Sequence, residues 1–239
     1  MINRLLKLEL GNIFFKYRGQ IPLLILIISY PVIMQNNICI NNNLIQKIEI
    51  FSVVIALLGL MLRYCVVGET PDGTSGKNRS EQVAEKLNQK GIYSISRNPL
   101  YFANFLIWTS IAIFSLSYIL IIISVALFYF FYSKIILVEE KFLEKKFGEK
   151  YINYKKQTPL MIPNFFKFSK TDSIFSFKKV LNEEYSSTTS TMISFLIIDI
   201  FKKNINTDQF IISDFQIQFF CYLILFIVIA KLNKKFSIN

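Results

Sequence analysis

The chain has 239 residues, 53% of them hydrophobic, and its 27 Lys and Arg against 16 Asp and Glu give a formal net charge of +11. This apolar content excludes a disordered chain, and the absence of histidine excludes His-ligated metal sites and Ser–His or Cys–His nucleophiles. Cys39, Cys65 and Cys221 lie far apart within apolar runs, against a secreted disulfide framework; a mean hydropathy of +0.42, with charge bunched between apolar stretches, predicts an integral membrane protein.

Residues 1–20 mix Arg4, Lys7, Lys16 and Arg18 with Leu and Phe. No small-x-small cleavage site follows, so 21–40 is predicted to be a retained first span, not a signal peptide. A second span is predicted at 48–67. Arg63 near its end is expected to snorkel toward the interface. The loop Pro71–Arg79 is glycine-containing but lacks the G-x-x-x-x-G-K-[ST] spacing and follows no strand, so it reads as a flexible loop or lid and not as a phosphate loop. The apolar run 100–132 would make one helix of ~50 Å, against a hydrocarbon core of ~30 Å. It is predicted instead to be a helical hairpin with short arms, turning near Ser115-Leu116-Ser117, with Lys134 a second snorkeling cation. The weakest candidate, 188–203, contains Asp199; the last is 210–230.

These segments predict an all-α, polytopic membrane bundle of about six spans, forming a single domain over 1–239. With six spans, 22 of the 27 Lys and Arg fall on one side, in the N-terminus, the 68–99 and 138–187 loops and the C-terminus. By the positive-inside rule that side is the cytoplasm, which places both termini there and the chain in the cell inner membrane. Lys202 and Lys203 fit this less well, near the outer end of the fifth span. The charge reads as topology plus attraction to anionic headgroups and not as nucleic-acid binding, because no stripe of interleaved aromatic and basic residues sits on a soluble domain.

Two cytoplasmic segments carry candidate chemistry. In Gly91-Ile92-Tyr93-Ser94-Ile95-Ser96-Arg97-Asn98-Pro99-Leu100-Tyr101, Asn98 suits a helix N-cap and Pro99 the first helical position. The free N–H groups and dipole of that helix start favour a carboxylate or phosphate; the same residues also read as a capped helix with an interfacial aromatic belt. In the segment from Glu139 to Tyr154, Glu139, Leu143, Phe147, Tyr151 and Tyr154 share one helical face. This reads either as an amphipathic helix lying on the membrane or as a carboxylate and aromatic rings facing a ligand cation, ribose hydroxyls or an adenine face.

Together the two segments resemble the integral-membrane methyltransferases of the isoprenylcysteine carboxyl methyltransferase and phospholipid N-methyltransferase group. Gly91-x-Tyr93-x-x-x-Arg97-Asn98-Pro99-x-Tyr101 matches the group's G-x-Y-x-x-x-R-H-P-x-Y. Glu139-Glu140-x-x-Leu143-x-x-x-Phe147-Gly148-x-x-Tyr151-x-x-Tyr154 matches E-E-x-x-L-x-x-x-F-G-x-x-Y-x-x-Y after the hairpin. The resemblance covers about 50–165, leaving 166–239 as a two-span C-terminal extension. It implies an S-adenosylmethionine site at the cytoplasmic face, reached from the bilayer by a lipid or lipophilic acceptor. The implied cofactor contacts are Tyr93, Arg97, Asn98, Pro99, Leu100, Tyr101, Glu139 and Glu140, with Glu85–Asn88 nearby; Arg97 would neutralise the methionine carboxylate or fix the loop. Asn98 stands where the group has histidine, and Ile135 and Lys134 stand where its carboxyl methyltransferases have a substrate-contacting arginine. Asparagine caps and hydrogen-bonds but exchanges no proton near pH 7, so no catalytic residue is assigned. Two alternatives remain: an NADPH-dependent membrane reductase of similar scaffold, and a catalytically weakened, non-enzymatic member.

Overall fold

The computed structural model describes residues 2–35, 41–71, 82, 84–205 and 210–238. The described chain is nearly all helical and consistent with an all-α membrane bundle. Its first helices are α1 (Ile2–Tyr17), α2 (Ile21–Met34) and α3 (Asn42–Glu69). A single turn, α4 (Ile92–Ile95), leads into the hairpin arms α5 (Pro99–Phe114) and α6 (Tyr118–Phe147). Then come α7 (Glu149–Gln157), α8 (Phe177–Lys203) and α9 (Asp214–Ile238). Past Pro71, the glycine-containing loop lies outside the described residues.

The hairpin turns where the serines predict. Leu116 takes φ 59°, the Ser115 hydroxyl donates to the Ala112 carbonyl, and Ser117 caps α6 by accepting from the Leu120 N–H. The arms are unequal, however. α5 has 16 residues, or ~24 Å, whereas α6 runs on for 30, or ~45 Å. Starting from a common turn, α6 therefore overshoots the beginning of α5 by several turns. That overshoot leaves room for a site at the end of the bundle opposite the turn, termed here the motif end.

Of the six candidate spans, α3, α6 and α9 (over Asp214–Lys235) are long and apolar enough to cross a bilayer on their own. The 21–40 candidate corresponds to α2, which is bent 83° from α1 and qualifies only together with it. The basic N-terminus is thus not a tail: α1 packs along α6. α5 is too short to qualify alone, and α8 is long enough but too polar. The polar groups of α8 are turned inward: Glu184, Thr189, Thr191 and Ser194 are buried, and α8 packs on α2, α3, α5 and α9.

Lipid tails are as apolar as the side chains, so close backbone approach and polar links hold such a bundle together more than burial itself does. One such close approach is α3 against α5. A Cβ on Gly59 would lie 2.9 Å from Ile107 Cγ1 and 3.0 Å from the Ala103 carbonyl, so no larger residue fits without moving a helix. Trp108, Phe128 and Tyr132 form an aromatic stack between the hairpin arms, with Phe128 and Tyr132 centroids 4.1 Å apart. Each such pair contributes about 0.5–1.5 kcal/mol beyond its area.

The cations that strained the sequence reading are paired. Lys202 bonds Glu49 and lies 4.0 Å from the Phe114 ring centroid, and Lys203 pairs with Asp199 at 2.9 Å. Asp199 also accepts from Gln216 at 2.8 Å, which ties α8 to α9. Arg63 does not snorkel. Its Nε lies 2.7 Å from Glu184 Oε2 and its Nη1 2.5 Å from Asn104 Oδ1, inside the bundle. Lys134 folds back over the Phe130 ring, 3.6 Å from its centroid, away from the motif end.

Candidate functional site

At the motif end a cavity of about 420 Å³ opens between the start of α5, the overshooting part of α6, the α1–α2 elbow and α8. Such a volume is within the range of small-molecule sites. Seven of the eight residues singled out in the sequence border it: Tyr93, Arg97, Asn98, Pro99, Leu100, Tyr101 and Glu139. Glu140 does not. Of the Glu85–Asn88 stretch, Lys86, Leu87 and Asn88 border the cavity, whereas Glu85 points to the exterior.

The two adjacent glutamates have different fates. Successive helical residues are rotated by about 100°. Glu140 is buried and bonded to Arg97, with Nη2 at 2.8 Å, and to Lys155 Nζ at 2.8 Å. Glu139 keeps part of its surface, and that surface borders the cavity; the Tyr101 hydroxyl is its hydrogen-bonding neighbour and the Arg18 guanidinium acts on it electrostatically. Among the described residues Glu139 is in no ion pair.

Arg97 is tied to the chain beyond α7. Besides Glu140, its Nη1 donates to the Lys155 and Thr158 carbonyls at 2.7 and 2.6 Å. The guanidinium therefore staples the 155–158 backbone to the segment before α5. The same strap is sewn on by Arg97 N–H to the Pro159 carbonyl at 2.9 Å, Ser96 Oγ to the Met161 carbonyl at 2.8 Å and Asn164 N–H to the Ile95 carbonyl at 2.9 Å. Asn98 joins it: its Nδ2 donates to the Leu160 carbonyl at 2.9 Å. It occupies the N-cap position of α5 without a side-chain cap bond, a correction to the capping role expected of it. The carbonyl of Asn98 still accepts from the N–H groups of Tyr101 and Phe102, and Pro99 opens the helix as expected.

Beyond α6 the expected single helix breaks. Gly148 takes φ 54°, a conformation that favours glycine, and redirects the chain into α7. The predicted face survives the break: Glu139, Leu143, Tyr151 and Tyr154 all border the cavity, and only Phe147 does not. The Tyr154 hydroxyl donates to the Tyr93 carbonyl at 2.7 Å, closing one wall. Burial pushes the Tyr93, Tyr151 and Tyr154 phenols well above their ordinary range; Glu139 adds to this at Tyr93 and Glu140 at Tyr151. These phenols stay protonated near neutral pH and act as donors.

Two further walls come from outside the two motif segments. One is the α1–α2 elbow, which supplies Phe15, Arg18, Gly19 and Pro22; Arg18 stacks on Phe15, 3.8 Å from its centroid. The Arg18-Gly19 break before Pro22 was the available clue. The other is α8, which presents Glu184, Ser187, Ser190, Thr191 and Ser194. Thr191 and Ser194 spend their hydroxyl hydrogens on the Ser187 and Ser190 carbonyls, leaving oxygen lone pairs toward the cavity.

Residues 6–158 match the profile of a family described as "Protein of unknown function (DUF1295)", and the chain belongs to that family. The family is placed in the steroid 5-alpha reductase-like membrane superfamily. No curated protein and no solved structure matches the chain.

Proposed function

We propose, for this member of the DUF1295 family, S-adenosylmethionine-dependent methyl transfer to a lipid or lipophilic acceptor, with the motif end of the bundle facing the cytoplasm. The observation that carries this reading is the separation of Glu139 from Glu140: one carboxylate is consumed by Arg97 and Lys155, the other borders the cavity outside any ion pair among the described residues. The lining suits the cofactor. Glu139 offers acceptor oxygens for ribose hydroxyls or a counter-charge for a cation; the rings of Tyr93, Tyr101 and Tyr151 suit a sulfonium; Arg18 and Lys86 bring positive charge for a carboxylate. Once bound, the cofactor supplies an electrophilic methyl group.

What the chain itself contributes is alignment and exclusion of water. Arg97 and the strap fix the start of α5; Trp108, Ile107 and Ile111 line the deep end of the cavity. Asn98, tied to Leu160 and without exchangeable charge, and the cavity tyrosines outside the spans, which hold their protons, are not suited to general-base work; with Glu139 engaged by the cofactor, the acceptor reacts as a lone pair that is already free. Faster turnover is then expected as pH passes the acceptor's own pKa.

Titrating the purified protein with S-adenosylmethionine tests the site. Glu139→Ala is expected to lose affinity by about tenfold or more, and Tyr101→Ala by less. Unchanged affinity in a folded Glu139→Ala protein overturns the assignment. Membranes incubated with methyl-labelled cofactor, then extracted, identify the acceptor.

A membrane reductase using NADPH is the second reading. The superfamily placement favours it, and Arg18 and Lys86 would serve phosphate groups equally well. Stabilisation in a thermal-shift titration by NADPH, with none by S-adenosylmethionine, selects that reading. A third reading keeps the fold without activity; it predicts no turnover with any lipid and no gain on Asn98→His.

A further inference from the structure

A second cavity, of about 460 Å³, lies on the other side of Glu184, enclosed by α3, α8, α9 and the segment before α8. Its lining is almost wholly apolar, with Met61, Phe175, Val180, Leu181, Phe226 and Ile229 as its main surfaces. It runs along α8 from Val180 to Thr188, ~12 Å at ~1.5 Å per residue. Its floor is polar and closed. Tyr64 and Thr188 share a hydroxyl–hydroxyl bond of 2.7 Å, and beside them the Arg63–Glu184 pair separates this cavity from the first. Its α9 side is open: Phe226 and Ile229 line it while remaining 40% and 50% exposed.

The rim has the opposite character. Asn233 borders the cavity at the motif end, and Lys234 Nζ lies 5.8 Å from the centroid of Tyr185, another lining ring. A narrow apolar well, open sideways to a lipid-facing helix and with a cation at one end, is complementary to one kind of molecule. We propose that this cavity binds an anionic membrane phospholipid, with one hydrocarbon chain in the well and the phosphate at Asn233 and Lys234. Chain burial against Leu181 and Phe226 holds the molecule in place, and Lys234 selects its headgroup charge. The site lies mostly on α8 and α9, beyond the 6–158 stretch that defines the family, and it does not depend on methyl transfer in the first cavity.

The test uses the full chain in phosphatidylcholine nanodiscs containing phosphatidylglycerol with a photoactivatable group at the end of one acyl chain, the crosslinks being mapped by peptide mass spectrometry. Labelling is expected to concentrate at Tyr64, Cys65 and Leu181, to fall about tenfold when Ala230→Trp fills the well, and to fall about fivefold for Lys234→Glu or for the zwitterionic phosphatidylcholine analogue. Leu181→Trp fills the same space from α8 and replaces Ala230→Trp if that variant does not fold. Even labelling along the outward face of α9, at Ile224 and Val228, undiminished by either tryptophan, overturns the site in favour of annular lipid only. Equal labelling by the two headgroups overturns the charge selection.

Discussion

Two arginines in this bundle each meet a glutamate in a buried pair, and the two regions are built for different purposes. Arg97 and Glu140 are 43 positions apart, and Arg97 shares its donors with two backbone carbonyls, so the pair closes a strap around the start of α5. Arg63 and Glu184 are 121 positions apart, with side chains 15% and 4% exposed; they join α3 to α8 deep in the bundle, and Arg63 also bonds Asn104. The first pair lets a loop hold a precise shape. The second fixes how one helix stands against another and forms the partition between the two cavities. A buried charge left without its partner is costly, and the cost falls where other acceptors remain nearby.

The largest expected effect follows from that contrast. Glu184→Ala strands Arg63 and should destabilise the protein by about 3–5 kcal/mol, read as a fall in Tm or in the denaturant midpoint. Glu140→Ala leaves Arg97 with the Lys155 and Thr158 carbonyls and should cost about 1–3 kcal/mol. Equal losses in the two variants would break the comparison. Gly59→Val inserts bulk into the α3–α5 contact and should cost about 1–3 kcal/mol, with cavity affinity for a ligand reduced because Ile107 lies in both the contact and the cavity wall. Tyr154→Phe removes only the bond to the Tyr93 carbonyl and should cost about 1 kcal/mol.

The smallest effect is in pH. Burial raises the folded-state pKa of Tyr93 and Tyr151 above the unfolded value of about 10. The folded protein then holds protons that the unfolded chain has lost. Their stabilising contribution is complete below about pH 10 and is lost as pH rises beyond it. Stability measured between neutrality and strongly alkaline pH should decline less steeply in Tyr93→Phe than in the parent; an unchanged slope contradicts burial of that phenol.

Much of the site's wall was legible because it is local. The spacing of Glu139, Leu143, Tyr151 and Tyr154 gave a face that survives even the Gly148 break, and Asn98-Pro99 marked a real helix start. What Asn98 does there was not legible. Its amide is drawn to Leu160, 62 positions away, and not to its own helix, since a tertiary acceptor competes with a local cap. Likewise, nothing in Glu139-Glu140 says which of the two is consumed; that depends on where Arg97 and Lys155 arrive. Arg63 looked like an interfacial cation because its glutamate lies on a helix whose polarity suggested a weak span.

By itself the sequence determined the class of the protein, the hairpin with its turn at Ser115–Ser117, and the two segments that line the first cavity, because composition, periodicity and capping act within a few turns of chain. Only the tertiary structure decided that unequal hairpin arms open the cavity, that the N-terminal elbow and α8 complete its walls, and that a second, apolar well stands behind Glu184. Those features arise from pairings between distant helices. In a bundle without a strong hydrophobic drive between its members, such pairings are set by shape and by single polar contacts, which leave no periodic trace in the chain.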